Sequence, residues 1–347
     1  MKYLKYFEKL KDIDYTNRKL KSFLGLNIPK LVGEFDCSDN NITSLEFGPE
    51  KVDGDFICAG NKLTSLEFGP KTVNGGFYCR NNDLISLEYC PTDIGWDFDC
   101  QNQYKKLKSL KFCPEKVNGS FNCNNNDLQT LEFGPKIVKG NFDCSKNKLT
   151  SLEFCPEKVD REFNCSNNIL TSLKYCPDKI DTLYCNNNSL TSLEFCPEYL
   201  NGGLSCECNK LKSLEFCPRI IDRVFNCFDN KLTSLKGLPK GIKAIIRCSW
   251  NNLTSLDFIP NDFEGMIKCG DNDWIKPIPY DVIKKYKIEQ SDLYTEGQKE
   301  KFGLYEYQKE FLTESPEKYK DLEPIGYNKQ IKEEFDWLFN AIDMGLM

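Results

Sequence analysis

A cysteine returns at a fixed interval through most of this chain. Twelve of its nineteen cysteines, from Cys37, Cys58 and Cys79 to Cys227, Cys248 and Cys269, are separated by 21 residues, with one gap of 23 and one of 20. Around each stands the same phrase, clearest from Gly54 to Asn74. There Phe56-Ile57-Cys58 leads to Asn61, Leu63 and Leu66, then to Phe68, Gly69 and Pro70. A repeat this short cannot bury its own apolar face, so each unit must pack on the next, and the period predicts a solenoid.

Each position in the phrase has a physical job. Phe-x-Cys alternates as a short strand does, with Phe and Cys facing the core and the residue between them facing out. Stacked coils would join these segments into a parallel sheet. An Asn follows three residues after nearly every strand cysteine, as in Asn40, Asn61, Asn82, Asn126, Asn147 and Asn272. Turned inward, it can bond backbone groups left unpaired as the chain leaves the sheet. The proline ladder (Pro49, Pro70, Pro91 and their equivalents) lacks a backbone donor and predicts an extended or turn-like outer side. The 23-residue gap comes from two extra residues in Gln103–Leu107 and the 20-residue gap from a deletion in Lys179–Cys185. Both leave the flanking Cys and Leu positions in place, so both predict local loop changes in an unbroken stack.

The run Phe-x-Cys-x-x-Asn-x-Leu-x-x-Leu resembles the core of the leucine-rich-repeat family over about residues 32–275, and its period is similar to the short bacterial and viral class. Phe and Cys stand where Leu is usual. The resemblance implies a right-handed β-solenoid or horseshoe with one short parallel strand per coil, an extended convex side and helical end caps. It also implies that strand residues pointing away from the core line a concave contact face.

Three regions are expected. Residues 1–31 would form an N-terminal cap, with Leu4, Phe7 and Leu10 on one face of a short helix and a degenerate coil at Ile13–Pro29. Residues 32–279 would form about twelve coils. Residues 280–347 lack the repeat and would cap the end or dock a partner, with Asn328–Gly345 reading as an amphipathic helix carrying Ile331, Phe335, Leu338, Phe339 and Ile342 on one stripe.

The chain contains no histidine, which removes Ser-His-Asp and Cys-His catalysis and every His-ligated metal site. It carries no apolar run long enough for a membrane helix and no signal-peptide pattern at Met1–Leu10, so the expected compartment is the cytoplasm. A net charge of −6 argues against non-specific binding to nucleic acid or anionic membranes. In a reducing compartment the strand cysteines read as buried thiols. A second ladder (Cys90, Cys113, Cys155, Cys176, Cys196, Cys217) alternates with Gly48, Gly69 and Gly134, so that position asks for a small residue. Cys206-Glu-Cys208 is a weak metal signal, and no cofactor or metal is expected. Cys37-Ser-Asp39, Cys227-Phe-Asp229 and Cys269-Gly-Asp271 match the Cys-x-Asp of some bacterial ubiquitin-ligase effectors, but all three lie on the strand ruler. An enzyme is therefore not expected. Glu46, Glu67, Glu88, Glu132, Glu153, Glu194 and Glu215 form an acidic row offset from a lysine row at Lys51, Lys71, Lys116, Lys136, Lys158 and Lys179, read as a solvated edge with weak ion pairs.

The candidate contact residues are Tyr78, Asp99, Asn122, Asp143, Asn164, Tyr184, Arg247 and Trp250. Aromatics and Arg are the usual interface anchors, and the acidic and amide groups between them suit a basic or hydrogen-bonding protein. The expectation is a protein-binding module. The alternative is a structural component of a viral or cellular assembly attached through the C-terminal tail, since Lys-, Asn- and Ile-rich usage with near-identical coils resembles proteins of large viruses and phages.

Overall fold

The structure, a computed structural model, describes residues 10–302 except 240–241, 243–244 and 290–292. Each phrase of the sequence becomes one coil. The Phe-x-Cys segments form a 13-stranded parallel sheet that begins at Ile13–Asp14, continues through Phe35–Asp36 and Phe56–Ile57, and ends at Met266–Lys268. Phe35 is paired with Phe56 and Phe56 with Phe77, so equivalent residues lie in line. A one-residue slip would turn every Phe and Cys to water, and that penalty fixes the register.

Behind the sheet the phenyl rings of Phe35, Phe56, Phe77, Phe98, Phe121, Phe142 and Phe163 stack coil upon coil. Adjacent centroids are 5.3–6.0 Å apart and adjacent planes lie within 21°. Leu183 and Leu204 interrupt the ladder before Phe225, and all three are buried. The strand cysteines and the two leucines of each coil complete the core.

The asparagine row does what its position predicts. Asn61 Nδ2 donates to the carbonyls of Cys37, Cys58 and Ala59, and its Oδ1 accepts the N–H of Ile42 at 2.9 Å. One side chain thus bridges two coils and satisfies backbone groups that have no strand partner. In the 23-residue coil Gln103 takes the role, donating to Cys79 O, Cys100 O and Gln101 O and accepting from Leu84 N. The stack runs through the insertion and through the short coil, as their flanking residues predict.

The far side corrects the expectation of one strand per coil. Eight coils carry a second two-residue strand just after the proline position, from Leu31–Val32 and Lys51–Val52 to Ile220–Ile221. The alternation Lys51-Val52 sends Val inward and Lys outward, which is enough to pair neighbouring coils. This second row breaks into three small sheets, and one break falls at Ile180 in the 20-residue coil.

At the C-terminal end α1 (Tyr280–Lys285) and α2 (Glu296–Lys301) pack on the last coil. Ile267 N–H donates to Tyr286 O, Trp274 Nε1 to Leu293 O, and Gln298 Nε2 to Asn272 O. The first of these bonds occupies an N–H of the last strand, whose open edge would otherwise be free to pair with another strand, and the other two hold the C-terminal segment on the last coil. The helix expected before Leu10 and the one expected at Asn328–Gly345 lie outside the described residues.

Candidate protein-binding face

The outward-pointing strand residues lie in a row across the long sheet, and the structure sorts them into two groups. Asp36, Asp99, Asn122, Asp143, Asn164 and Asn226 each accept, through Oδ1, the backbone N–H two residues on, at 2.8–3.2 Å. This short loop steers the chain out of the strand. The acids and amides of the row therefore have a structural duty that the sequence reading did not assign to them.

Asp99 corrects the expectation most. Expected as a free acidic contact, it is only 6% exposed, because Arg80 Nη1 and Gln101 Nε2 each lie 3.0 Å from Oδ2. Asn122 and Asn164 remain half-buried, and Asp143 also accepts from Asn124 Nδ2 at 3.2 Å.

The second group has no such duty. Tyr78 is half-buried, its hydroxyl donates to Asp97 Oδ2 at 3.2 Å, and burial with the carboxylates of Asp97 and Asp55 pushes its phenol up. Gly76 makes the room, since a Cβ there would lie 2.6 Å from the Tyr78 ring. Tyr184 is also half-buried, with its phenol raised by burial and Glu162. Arg247 is exposed, and beyond the strand, in a left-handed turn (φ 56°), Trp250 is 57% exposed with its ring centroid 6.2 Å from that of Phe228. Asp97 and Arg80 were missed because each acts across coils, 19 residues away along the chain.

The cysteines are buried as expected, fifteen fully and four partly. Burial raises every thiol, pushing Cys185 and Cys227 up to about 12 and the more open Cys208 to about 11, where Asp229 adds to burial. The second ladder does more than fill a small space. Cys113 Sγ lies 3.1 Å from Phe133 O and Cys155 Sγ 2.7 Å from Tyr175 O, so these thiols donate to a turn in the next coil.

The expected ion pairs between the acidic and lysine rows do not form. Among the described residues, none of Glu46, Glu67, Glu88, Glu132, Glu153, Glu194 and Glu215 is ion-paired. The pairs present, such as Lys30–Glu50, Lys158–Asp160 and Arg219–Glu198, lie elsewhere. Also among the described residues, no helix is long and apolar enough to cross a membrane.

No family model matches the sequence, and no curated protein matches it. Among solved structures the chain is similar to YopM from Yersinia enterocolitica WA-314, with a TM-score of 0.56 over 72% of this chain. YopM is a leucine-rich-repeat protein. The fold is a leucine-rich-repeat-type solenoid. At 21% identity the likeness speaks to architecture alone, and the chain spans 58% of YopM's length. Within that architecture the outward row of the long sheet is the surface on which side chains vary from coil to coil while the core repeats.

Proposed function

We propose that this solenoid is a non-enzymatic protein-interaction module that holds its partner on the outward face of the long sheet. The observation carrying this reading is the division of labour along the row. Asp and Asn residues hold the turns, whereas Tyr78, Tyr184, Arg247 and the Phe228–Trp250 pair offer ring and guanidinium surface that no turn requires. Such groups dominate interfaces because they bury large areas at little entropic cost. Asp36 and Asp143 stay half-accessible among them and suit a partner with basic or hydrogen-bond-donating groups. The lack of histidine and the raised thiols support a binding role over a catalytic one.

The test is affinity purification on the native chain and on Tyr78→Ala/Tyr184→Ala/Trp250→Ala, with melting temperatures measured in parallel. A discrete partner retained by the native chain and lost by the variant, at nearly unchanged melting temperature, supports the reading. Equal retention by both overturns it.

A further inference from the structure

Ten coils place an aromatic residue in the same outer turn, from Phe47 and Phe68 to Phe216 and Phe258, all with φ between 64° and 74°. Each ring is 45–59% exposed. The equivalent turn carries Gly25 in the first coil and Gly237 in a later one, also at positive φ. Left-handed backbone favours Gly or Asn and penalises a bulky side chain, and water gives a half-exposed ring no reason to be there. Neither backbone preference nor the core accounts for the choice.

The residue immediately before the ring adds a second observation. Among the ten ring coils it is acidic in eight (seven glutamates and Asp257) and lysine in two (Lys111, Lys174); with Lys236, which precedes Gly237 in the ringless coil, the row carries 8 − 3 = 5 net negative charges. The structure also shows how these rings meet a cation. Lys111 Nζ lies 5.0 Å from the Phe112 centroid and Lys174 Nζ 4.9 Å from that of Tyr175. Where an acid replaces the lysine, no cation of the described residues lies over the ring that follows it. At the short coil the edge opens into a groove of about 940 Å³ between Tyr175, Phe195 and Tyr199, lined by four carboxylates and two lysines.

We propose that this edge binds an extended lysine- or arginine-rich segment of a partner protein, its cations seated on the rings beside the glutamates. Charge selects this occupant over the chain's own residues 303–347, which hold ten Asp and Glu against five Lys, and over a second copy of net charge −6. The strip beyond the prolines, where Glu50–Lys51, Glu115–Lys116 and Glu157–Lys158 alternate in sign, is close to neutral and does not repel it. The proposal is independent of the sheet-face reading, because it uses the opposite end of each phrase.

The experiment uses the full chain and a fluorescein-labelled oligolysine peptide, followed by anisotropy, with oligoglutamate as the comparison. The native chain is expected to bind oligolysine only. Phe68→Asn/Phe133→Asn/Phe154→Asn/Phe195→Asn should weaken binding at least about tenfold without lowering the melting temperature, because Asn accepts this backbone readily. Glu67→Gln/Glu132→Gln/Glu153→Gln/Glu194→Gln should weaken it too, most at low salt. Tyr78→Ala/Tyr184→Ala should leave it unchanged. Absence of oligolysine binding, or full binding by the asparagine variant, overturns the proposal. So does loss confined to the Tyr78/Tyr184 variant, which would leave the sheet-face reading standing.

Discussion

Arg80 closes over Asp99 from the preceding coil, with Nη1 3.0 Å from a carboxylate that the strand otherwise presents to water. That carboxylate also holds the Gln101 N–H at 3.1 Å, so it has two structural tasks at once.

The two tasks separate by substitution. Asp99→Asn keeps the turn, as Asn122 and Asn164 do, and loses the pair with Arg80 together with the Gln101 Nε2 bond to the same oxygen. Arg80 is 43% exposed, so solvent screens that pair and the expected cost is about 1 kcal/mol. Asp99→Lys loses the turn as well and sets a second cation under Arg80, for an expected cost on the order of 2–3 kcal/mol. Urea unfolding of both variants measures the difference; equal costs would mean the turn contributes nothing.

Asn147 spans two coils in the same way as Asn61. Its amide donates to Cys123 O, Cys144 O and Ser145 O, and it accepts from Leu128 N at 3.0 Å. Asn147→Ala strands these buried groups and is expected to cost about 1–3 kcal/mol. Lys148→Ala removes only a solvent-screened pair with Asp127 and should cost less than about 0.5 kcal/mol. Chemical denaturation of the two variants side by side settles whether the ladder bears stability.

The phenyl ladder invites a graded test. Phe121 is fully buried between Phe98 and Phe142, so Phe121→Ala is expected to cost about 3–5 kcal/mol. Phe121→Leu should cost roughly half as much or less, since Leu183 and Leu204 already occupy this position elsewhere. A leucine variant as unstable as the alanine one would mean that stacking, rather than volume, holds the coils.

The thiols make the protein sensitive to alkali. Burial raises their folded values above the unfolded 9.0, to about 12 for Cys185 and Cys227. The unfolded chain therefore releases protons first, and the stability these thiols confer is complete below pH 9 and lost as pH rises from there towards 12. Each buried thiol loses about 1.4 kcal/mol per pH unit in that window, and fifteen such groups exceed the usual stability of a domain. Circular dichroism under reductant should show unfolding between about pH 9 and 11. At neutral pH, thiol reagents should label Cys208 ahead of the strand cysteines and reach all nineteen only after denaturation. A flat signal through pH 11 would contradict the burial of the ladders.

Much of this was legible in the residues. Phe-x-Cys named the strand and its inward face, Asn61 and its equivalents named the bridging amides, and the two irregular gaps named the coils with altered loops. All of these follow from contacts that the repeat makes with a copy of itself, so one coil predicts the next. Exposure at the edges did not follow. Asp99 was read as free because Arg80 stands in another coil, and Phe68 gave no sign that its backbone is left-handed and its ring half in water. The lysine and glutamate rows were expected to pair, yet among the described residues no glutamate of that row is ion-paired. The sequence by itself determined the coil, its core and its register, because the 21-residue period puts like against like. Tertiary structure alone decided which polar groups are used up and which rings stay open, because each side chain's cover comes from the coil above or below it.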